Sequence, residues 1–391
     1  MKKYLALLIS LVIVAAISCK SPLSDKGVKI MAYYFPHWGN FHPESLPLDK
    51  LTHIIFSFTE VIDNEMKFKN DSSGMMLEKL VAEKKKHPNL KVMIACGGWG
   101  GSGGFSEMCR TPETRKQFVT SVGMFIKKYK LDGLDIDWEY PGLPGIGNPY
   151  VPEDKQNFTS LMQELRAEMN TISPDQVLTF AAAGWQNFFY NVELDKVMPS
   201  VTYMNMMTYD MAGGDDPYTS HHTNLGFVRT EDIAGTPAAE KMHEEGDSTK
   251  PWSAEKIISW CIKQGVNPAQ IVIGGAFYGK GWQGVPPANN GLYQLNRGPW
   301  KERNSYSTIR EKREDKNGFV RFWDPVAKAP FLYNASDSIF VSYEDTMSVR
   351  LKTEYAINTG LGGIMFWSLG SDTPKDGLVD AIYKAKMRGV K

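Results

Sequence analysis

The stretch LDGLDIDWEYPG, residues 131–142, sets Asp132, Asp135, Asp137 and Glu139 among apolar and aromatic residues. Just before it, FVTSVGMFIKKYK (118–130) repeats its apolar residues at helical spacing, so the natural parse is helix, short turn, strand. Alternate side chains of a strand share a face. Asp135, Asp137 and Glu139 therefore line up on one side, with Leu134, Ile136 and Trp138 on the other. Three acids on an interior face are costly unless they share protons and hydrogen bonds. Such a row either moves a proton or holds a metal.

Seven other runs look like strands. They are VKIMAYY (28–34), LTHIIFSF (51–58), LKVMIAC (90–96), QVLTFAA (176–182), VTYMNMMTY (201–209), QIVIGGAFY (270–278) and LGGIMFW (361–367). Helical patterns follow most of the eight, at 72–86, 112–130, 153–172, 252–265 and 345–359. The runs are apolar on both faces, as strands of a parallel sheet covered by helices should be. Eight such units predict an α/β fold, a (β/α)8 TIM barrel with its site at the carboxyl ends of the strands. A doubly wound sheet would want a glycine-rich phosphate loop after the first strand. The chain reads FPHWGNFHPE there, which has none.

About 80 residues separate FYGKGW from LGGIMFW, too many for one helix. Within the gap GLYQLN, FVRFWDP and PFLYN read as short strands and YSTIREKRED as a helix. The expectation is a small α+β insertion at 283–342, between strand seven and helix seven, with the barrel formed by 27–282 and 343–391.

The 391 residues are 42% hydrophobic and 23% charged, which suits a globular enzyme rather than a disordered chain. Lysine plus arginine equals aspartate plus glutamate at 44 each, so nothing points to nucleic acid or to an anionic membrane surface. Ten tryptophans fit a large core or, more sharply, stacking on the apolar faces of sugars. The opening MKKYLALLISLVIVAAISCK reads as an export signal, two lysines and then a long apolar run. AISC resembles a bacterial lipobox ending at Cys19, so residues 1–19 are expected to be a lipoprotein-type signal peptide. Acyl chains on Cys19 would tether the chain to a membrane, periplasmic or at the cell surface; without them it would be secreted. Cys96, Cys109 and Cys261 match no zinc or disulfide framework. Cys96 and Cys261 read as small core residues.

Around the acidic row, no histidine or further acid falls at ligand spacing and no EF-hand-like loop occurs, which favours proton transfer over a metal. Closely packed like charges push one pKa upward. A protonated Glu139 at the strand's carboxyl end could donate to a leaving oxygen, with Asp137 sharing or relaying the proton. The adjacent His221 and His222 in TSHHTNLG lack further ligands, so no metal site and no cofactor is expected.

DGLDIDWE resembles the DxxDxDxE signature of family 18 glycoside hydrolases, the chitinase family. KVMIACGGWGGSGGFS is similar to that family's strand-three motif, MTYD (207–210) to its M-x-Y-D motif on strand six, and AFYGKGW and GGIMFWSL to strands seven and eight. The resemblance runs from about residue 28 to 385, and the insertion after strand seven resembles the extra domain of the deep-cleft subgroup. It implies substrate-assisted hydrolysis with retention. Glu139 would be the acid and base, Asp137 would orient the substrate's acetamido group, and Asp135 would hold the proton shared with Asp137 at rest. Asp132, of opposite parity, would be structural. Tyr209 would bond the acetamido oxygen, with Asp210 and Met207 beside the distorted sugar and Trp367 beneath it. Tyr34 and Phe58 would line the site under Asp135 and the acetamido pocket. Gly98, Trp99, Tyr140 and Tyr278 complete the implied binding residues. Lys280 stands where the family often has arginine and cannot offer a planar two-point hydrogen bond. Trp38, Trp185, Trp282 and Trp323 are further cleft candidates.

The function implied is hydrolysis of β-1,4-linked N-acetylglucosamine in chitin or its oligosaccharides, by a monomer. An endo-β-N-acetylglucosaminidase acting on N-glycan or peptidoglycan would use the same chemistry. A chitooligosaccharide-binding lectin would bind without cutting; such relatives usually lack the acid, which is intact at Glu139.

Overall fold

The computed structural model describes residues 27–36, 41–246 and 250–389. Cys19 with its signal run, and Trp38, lie outside these residues. In chain order the strands are β1 (Lys29–Tyr34), β2 (His53–Ile62), β3 (Glu65–Lys67), β4 (Lys91–Gly97), β5 (Gly133–Asp137), β6 (Val177–Ala183) and β7 (Tyr203–Met207). There follow β8 (Ile271–Ala276), β9 (Lys280–Gln283), β10 (Pro299–Trp300), β11 (Phe319–Asp324), β12 (Ala329–Asn334), β13 (Ile339–Ser342) and β14 (Gly363–Trp367).

Strands β1, β14, β8, β7, β6, β5, β4 and β2 are neighbours in that order, and β1 also pairs with β2. Every one of these pairings is parallel, so the sheet closes into a (β/α)8 barrel. Alternation along each strand gives two cores. Met31 and Tyr33 of β1 meet Ile55, Met93, Ala95, Val272 and Met365 inside the barrel. Ile30, Ala32 and Tyr34 face the opposite way, into the layer between strands and helices, with Leu134, Ile136 and Trp138 of β5. Each large side chain sealed in that layer stabilises the fold by about 1.5–3 kcal/mol.

The helix Pro112–Tyr129 shows how sequence sets an outer element. Thr111 accepts from the Thr114 N–H at 3.3 Å. Pro112 occupies the first turn, where its missing N–H leaves nothing unpaired. Phe118, Val122 and Ile126, recurring at helical spacing, are its buried face, and Lys130 ends it in a left-handed conformation at φ 55°. Losing the Thr111 cap would cost about 1 kcal/mol.

A second, antiparallel sheet has the order β10-β9-β13-β12-β11 and forms the insertion after the seventh barrel strand. It starts at Lys280, slightly ahead of residue 283, because β9 pairs along β13 where the chain returns to the barrel. FVRFWD and APFLYN are strands and Tyr306–Lys312 is a helix, as the sequence predicts. GLYQLN is not a strand. Thr219 takes its backbone groups instead: the Thr219 N–H donates to Gln294 O at 2.8 Å and the Thr219 hydroxyl to Gly291 O at 2.6 Å. Trp282, Val285, Phe331 and Phe340 share one small core with Tyr218, Val228, Ile233 and Met242 of the long connection after β7. Among the described residues no helix is long and apolar enough to cross a membrane. Cys96, Cys109 and Cys261 are buried free thiols.

Candidate active site

A cleft of about 1090 Å³ opens at the carboxyl ends of the barrel strands. Strand β5 brings Asp137 and, just past its end, Glu139 to the cleft surface, with Asp135 fully buried one repeat deeper. The outward Trp138 anchors this arrangement, stacked on Phe105 with ring centroids 5.3 Å apart.

The backbone around the acids is held tightly. The Glu139 N–H donates to Ser102 Oγ at 2.9 Å, and that hydroxyl has Gly98 O at 2.8 Å and Asp137 O at 3.0 Å as acceptors. Asn148 Nδ2 donates to Glu139 O at 3.2 Å. The chain after the acid is folded back by the buried Asp154, which accepts from Ser106 Oγ, the Val151 N–H and the Gly142 N–H. Gly97 sits at φ 114°, and a Cβ there would stand 2.0 Å from Asp137 O. Only glycine lets β4 pass so close.

Asp135 accepts from Tyr33 Oη at 2.9 Å, from Asn205 Nδ2 at 3.2 Å and from the Thr179 hydroxyl. Burial pushes its pKa up to about 6, against the pull of those three hydrogen bonds. Asp137 has no such help. Its Oδ1 is buried without a hydrogen-bond partner among the described residues, and burial plus the charges of Glu139 and Asp135 raise its pKa well above the carboxylate range. The three donors thus stabilise the charged form of Asp135 in a way that Asp137 lacks, so the two carboxyls differ in how readily each gives up a proton they share. Burial raises Glu139 to about 7; hydrogen bonding with Tyr140 opposes the rise and the Asp210 charge adds to it.

Aromatic rings make the cleft's sugar-sized faces. Trp367 stacks on Phe58 at 5.4 Å and 22° between planes, with Tyr33 tilted against it at 6.2 Å. Trp99 is half-exposed beside Tyr140, 6.3 Å between rings. Tyr209 and Met207 also line the cleft, and the Tyr209 hydroxyl faces the Met365 sulfur at 3.9 Å, a weak acceptor. Asp210 has a left-handed backbone, φ 57°. Its Oδ1 accepts from Tyr278 Oη at 2.7 Å and pairs with Lys280 Nζ at 2.9 Å, while His222 Nδ1 stands 3.7 Å away. Burial alone would raise the Asp210 pKa, but His222 and Lys280 outweigh it and hold the carboxyl well below its usual range. Lys280 thus makes as a point charge the contact that arginine would make as a fork.

Of the residues singled out in the sequence, Tyr34 is misplaced. It packs in the outer layer against Phe41, 6.0 Å between rings, and its neighbour Tyr33 reaches the site instead. The reason is parity: barrel closure turns the odd residues of β1 inward. Trp282 is wholly buried in the insertion core and donates to Gly213 O at 3.0 Å. Trp185 packs edge-on to Tyr140 behind the cleft surface. Trp323 lies on β11, beside Arg321. His221 pairs with Asp324 at 3.1 Å, and among the described residues no group of three His, Cys, Asp or Glu is placed to hold a metal. Asp132 bonds Lys84 and the Val92 N–H at the far end of β5, away from the acids. Sequence reading missed Tyr33, Ser102, Thr179 and Asn205. Thr179 and Asn205 were visible only as polar residues inside apolar strand runs.

The family profile described as Glycosyl hydrolases family 18 matches residues 30–372. Chitinase A1 from Niallia circulans is 37% identical over 303 residues, 75% of this chain and 42% of that protein. The chain therefore spans less than half the length of that relative. Chitinase B from Serratia marcescens is 29% identical, with 85% of this chain and 75% of that protein covered. A solved family 18 N-acetylglucosaminidase from Paenibacillus barengoltzii superposes with a TM-score of 0.79 at 32% identity, covering 92% of this chain and 99% of that one.

Proposed function

Because the chain belongs to the family 18 glycosyl hydrolases, we propose that it is a chitinase, cutting β-1,4-linked N-acetylglucosamine with retention. One observation carries this reading: a buried glutamic acid raised to about 7, at the end of a barrel strand, in a cleft that the stacked rings of Trp367 and Phe58 also line. Such a group is protonated often enough near neutrality to donate to a glycosidic oxygen. The cleft's other carboxylates outside the acidic row are each paired with a lysine, Asp210 with Lys280 and Glu60 with Lys69, and Asp210 also accepts from Tyr278, which makes them poor nucleophiles. The substrate's own N-acetyl oxygen fills that role. It attacks the anomeric carbon as Glu139 protonates the leaving oxygen, giving an oxazolinium ion. Asp137, carrying its proton and short of a partner, turns to the acetamido N–H; Tyr209 steadies the acetamido oxygen. Glu139, now ionised, takes a proton from water and the ion is hydrolysed.

The substrates proposed are chitin oligosaccharides, with Trp367 beneath the sugar at the cut and Trp99 on the leaving-group side. The apolar N-terminal run supports export, and acylation of Cys19 is the proposed anchor; a Cys19→Ala chain that still partitions with membranes would rule the anchor out. The test of the main reading is turnover of a fluorogenic chitobioside. The parent chain should release the dye, Glu139→Gln should lose at least about a hundredfold in kcat while keeping oligosaccharide binding, and de-N-acetylated oligomers should resist cleavage. An active E139Q protein, or equal cleavage of the de-N-acetylated chains, would refute the mechanism.

A further inference from the structure

Behind Tyr209 and Asp210 lies an ion pair that the mechanism above does not use. Lys352, on the helix Thr346–Thr359, is fully buried, and so is Glu344, just past β13. The ammonium group bonds Glu344 Oε1, Thr223 Oγ1 at 2.9 Å and Gly274 O at 2.9 Å. The carboxylate is completed by Thr223 Oγ1 at 2.8 Å and by the Ser348 hydroxyl. Each donor of the lysine thus goes to a different element: the segment returning from the insertion, the connection after β7, and β8.

These contacts converge on the site's wall. Thr208, immediately before Tyr209, donates to Gly274 O at 2.8 Å and accepts from the Gly274 N–H at 2.9 Å. Thr223, immediately after His222, approaches Thr208 O at 3.4 Å. The His222 N–H donates to Ser342 Oγ at 2.9 Å, and His222 O accepts from the Met211 N–H at 3.0 Å. The pair therefore clamps the backbone on both sides of Asp210. A buried ion pair adds little stability over an apolar pair of the same volume, but it demands one geometry.

We propose that the buried Lys352–Glu344 pair is a positioning device for Tyr209 and Asp210, welding the insertion's return segment to the catalytic wall. The proposal rests on the chitinase reading. Its test uses the full chain, chitobioside kinetics and thermal denaturation. The neutral double variant Lys352→Met with Glu344→Gln should recover much of the Tm lost by either single variant. Its kcat should nevertheless stay down about tenfold or more, with KM within about twofold of the parent, because misplacing reacting groups costs rate rather than affinity. Thr223→Val keeps both charges and removes the bridging hydroxyl; Tm should fall, and kcat measured well below that lower Tm should still drop about threefold or more with KM nearly unchanged. Were kcat to return in step with Tm in the double variant, the pair would be a stability element only and the proposal overturned. Should that variant not fold, full kcat in Thr223→Val overturns it equally. A parent without turnover would sink both readings, whereas an active parent with unaffected variants sinks only this one.

Discussion

Glu139 holds its proton at a pH where an ordinary glutamate has lost it, and two measurements follow from that. As the acid of the first step it must be protonated, so kcat/KM should fall about tenfold per pH unit once pH exceeds about 7. The same shift has a consequence for stability. The folded chain keeps the extra proton between glutamate's ordinary pKa and about 7. The stability it represents is complete below the ordinary value and is lost as pH rises through the folded one. Glu139→Gln should therefore stabilise the chain relative to the parent at about pH 8 and not at about pH 4, by about 3 kcal/mol in unfolding titrations. Lys280 offers a second test. Lys280→Met strips Asp210 of its cation and should cut kcat/KM about tenfold, while Lys280→Arg, which keeps a cation beside Asp210, should stay within about threefold. At this scale the acids were legible because a strand's alternation is fixed by its own sequence. The partners of Asp135 were not. Tyr33, Thr179 and Asn205 come from three other strands, and only barrel closure says which tyrosine of the Tyr33–Tyr34 pair looks inward.

Strand β5 and the two loops beyond β4 and β5 act as one piece, stitched by Ser102 and Asp154. Ser102→Ala leaves the buried Glu139 N–H without its acceptor and should cost about 1–3 kcal/mol in chemical denaturation, with kcat falling as well. A mutant with unchanged stability and rate would mean another group satisfies that N–H. The eight barrel strands and most outer helices could be placed from apolar periodicity, since each is a long run with local caps such as Thr111 and Asp345. The insertion's edge strands could not. KGWQ and IFVS are short, and what makes them strands is pairing with each other across a long separation in sequence. GLYQLN failed in the opposite sense, having a strand's composition but a backbone already engaged by Thr219.

Taken whole, the molecule is a barrel whose insertion does not stand apart from it. Tyr218, Val228, Ile233 and Met242 of the connection after β7 complete the insertion's core, and Lys352 and Glu344 join its exit to β8. Deleting residues 283–342 should therefore expose that shared apolar surface and give an aggregating or molten chain, detectable as lost near-UV dichroism and poor soluble yield. A deletion that stays soluble and cooperatively folded would show that the insertion is a removable module. The sequence by itself determined the strand–helix count, the row of acids and their common face, because periodicity and short motifs are local properties. Tertiary structure alone decided which tyrosine of β1 looks inward, which donors surround Asp135, and which elements the Lys352–Glu344 pair joins. Each of those depends on donors, charges and packing that meet only when residues far apart in the chain are brought within a few ångströms.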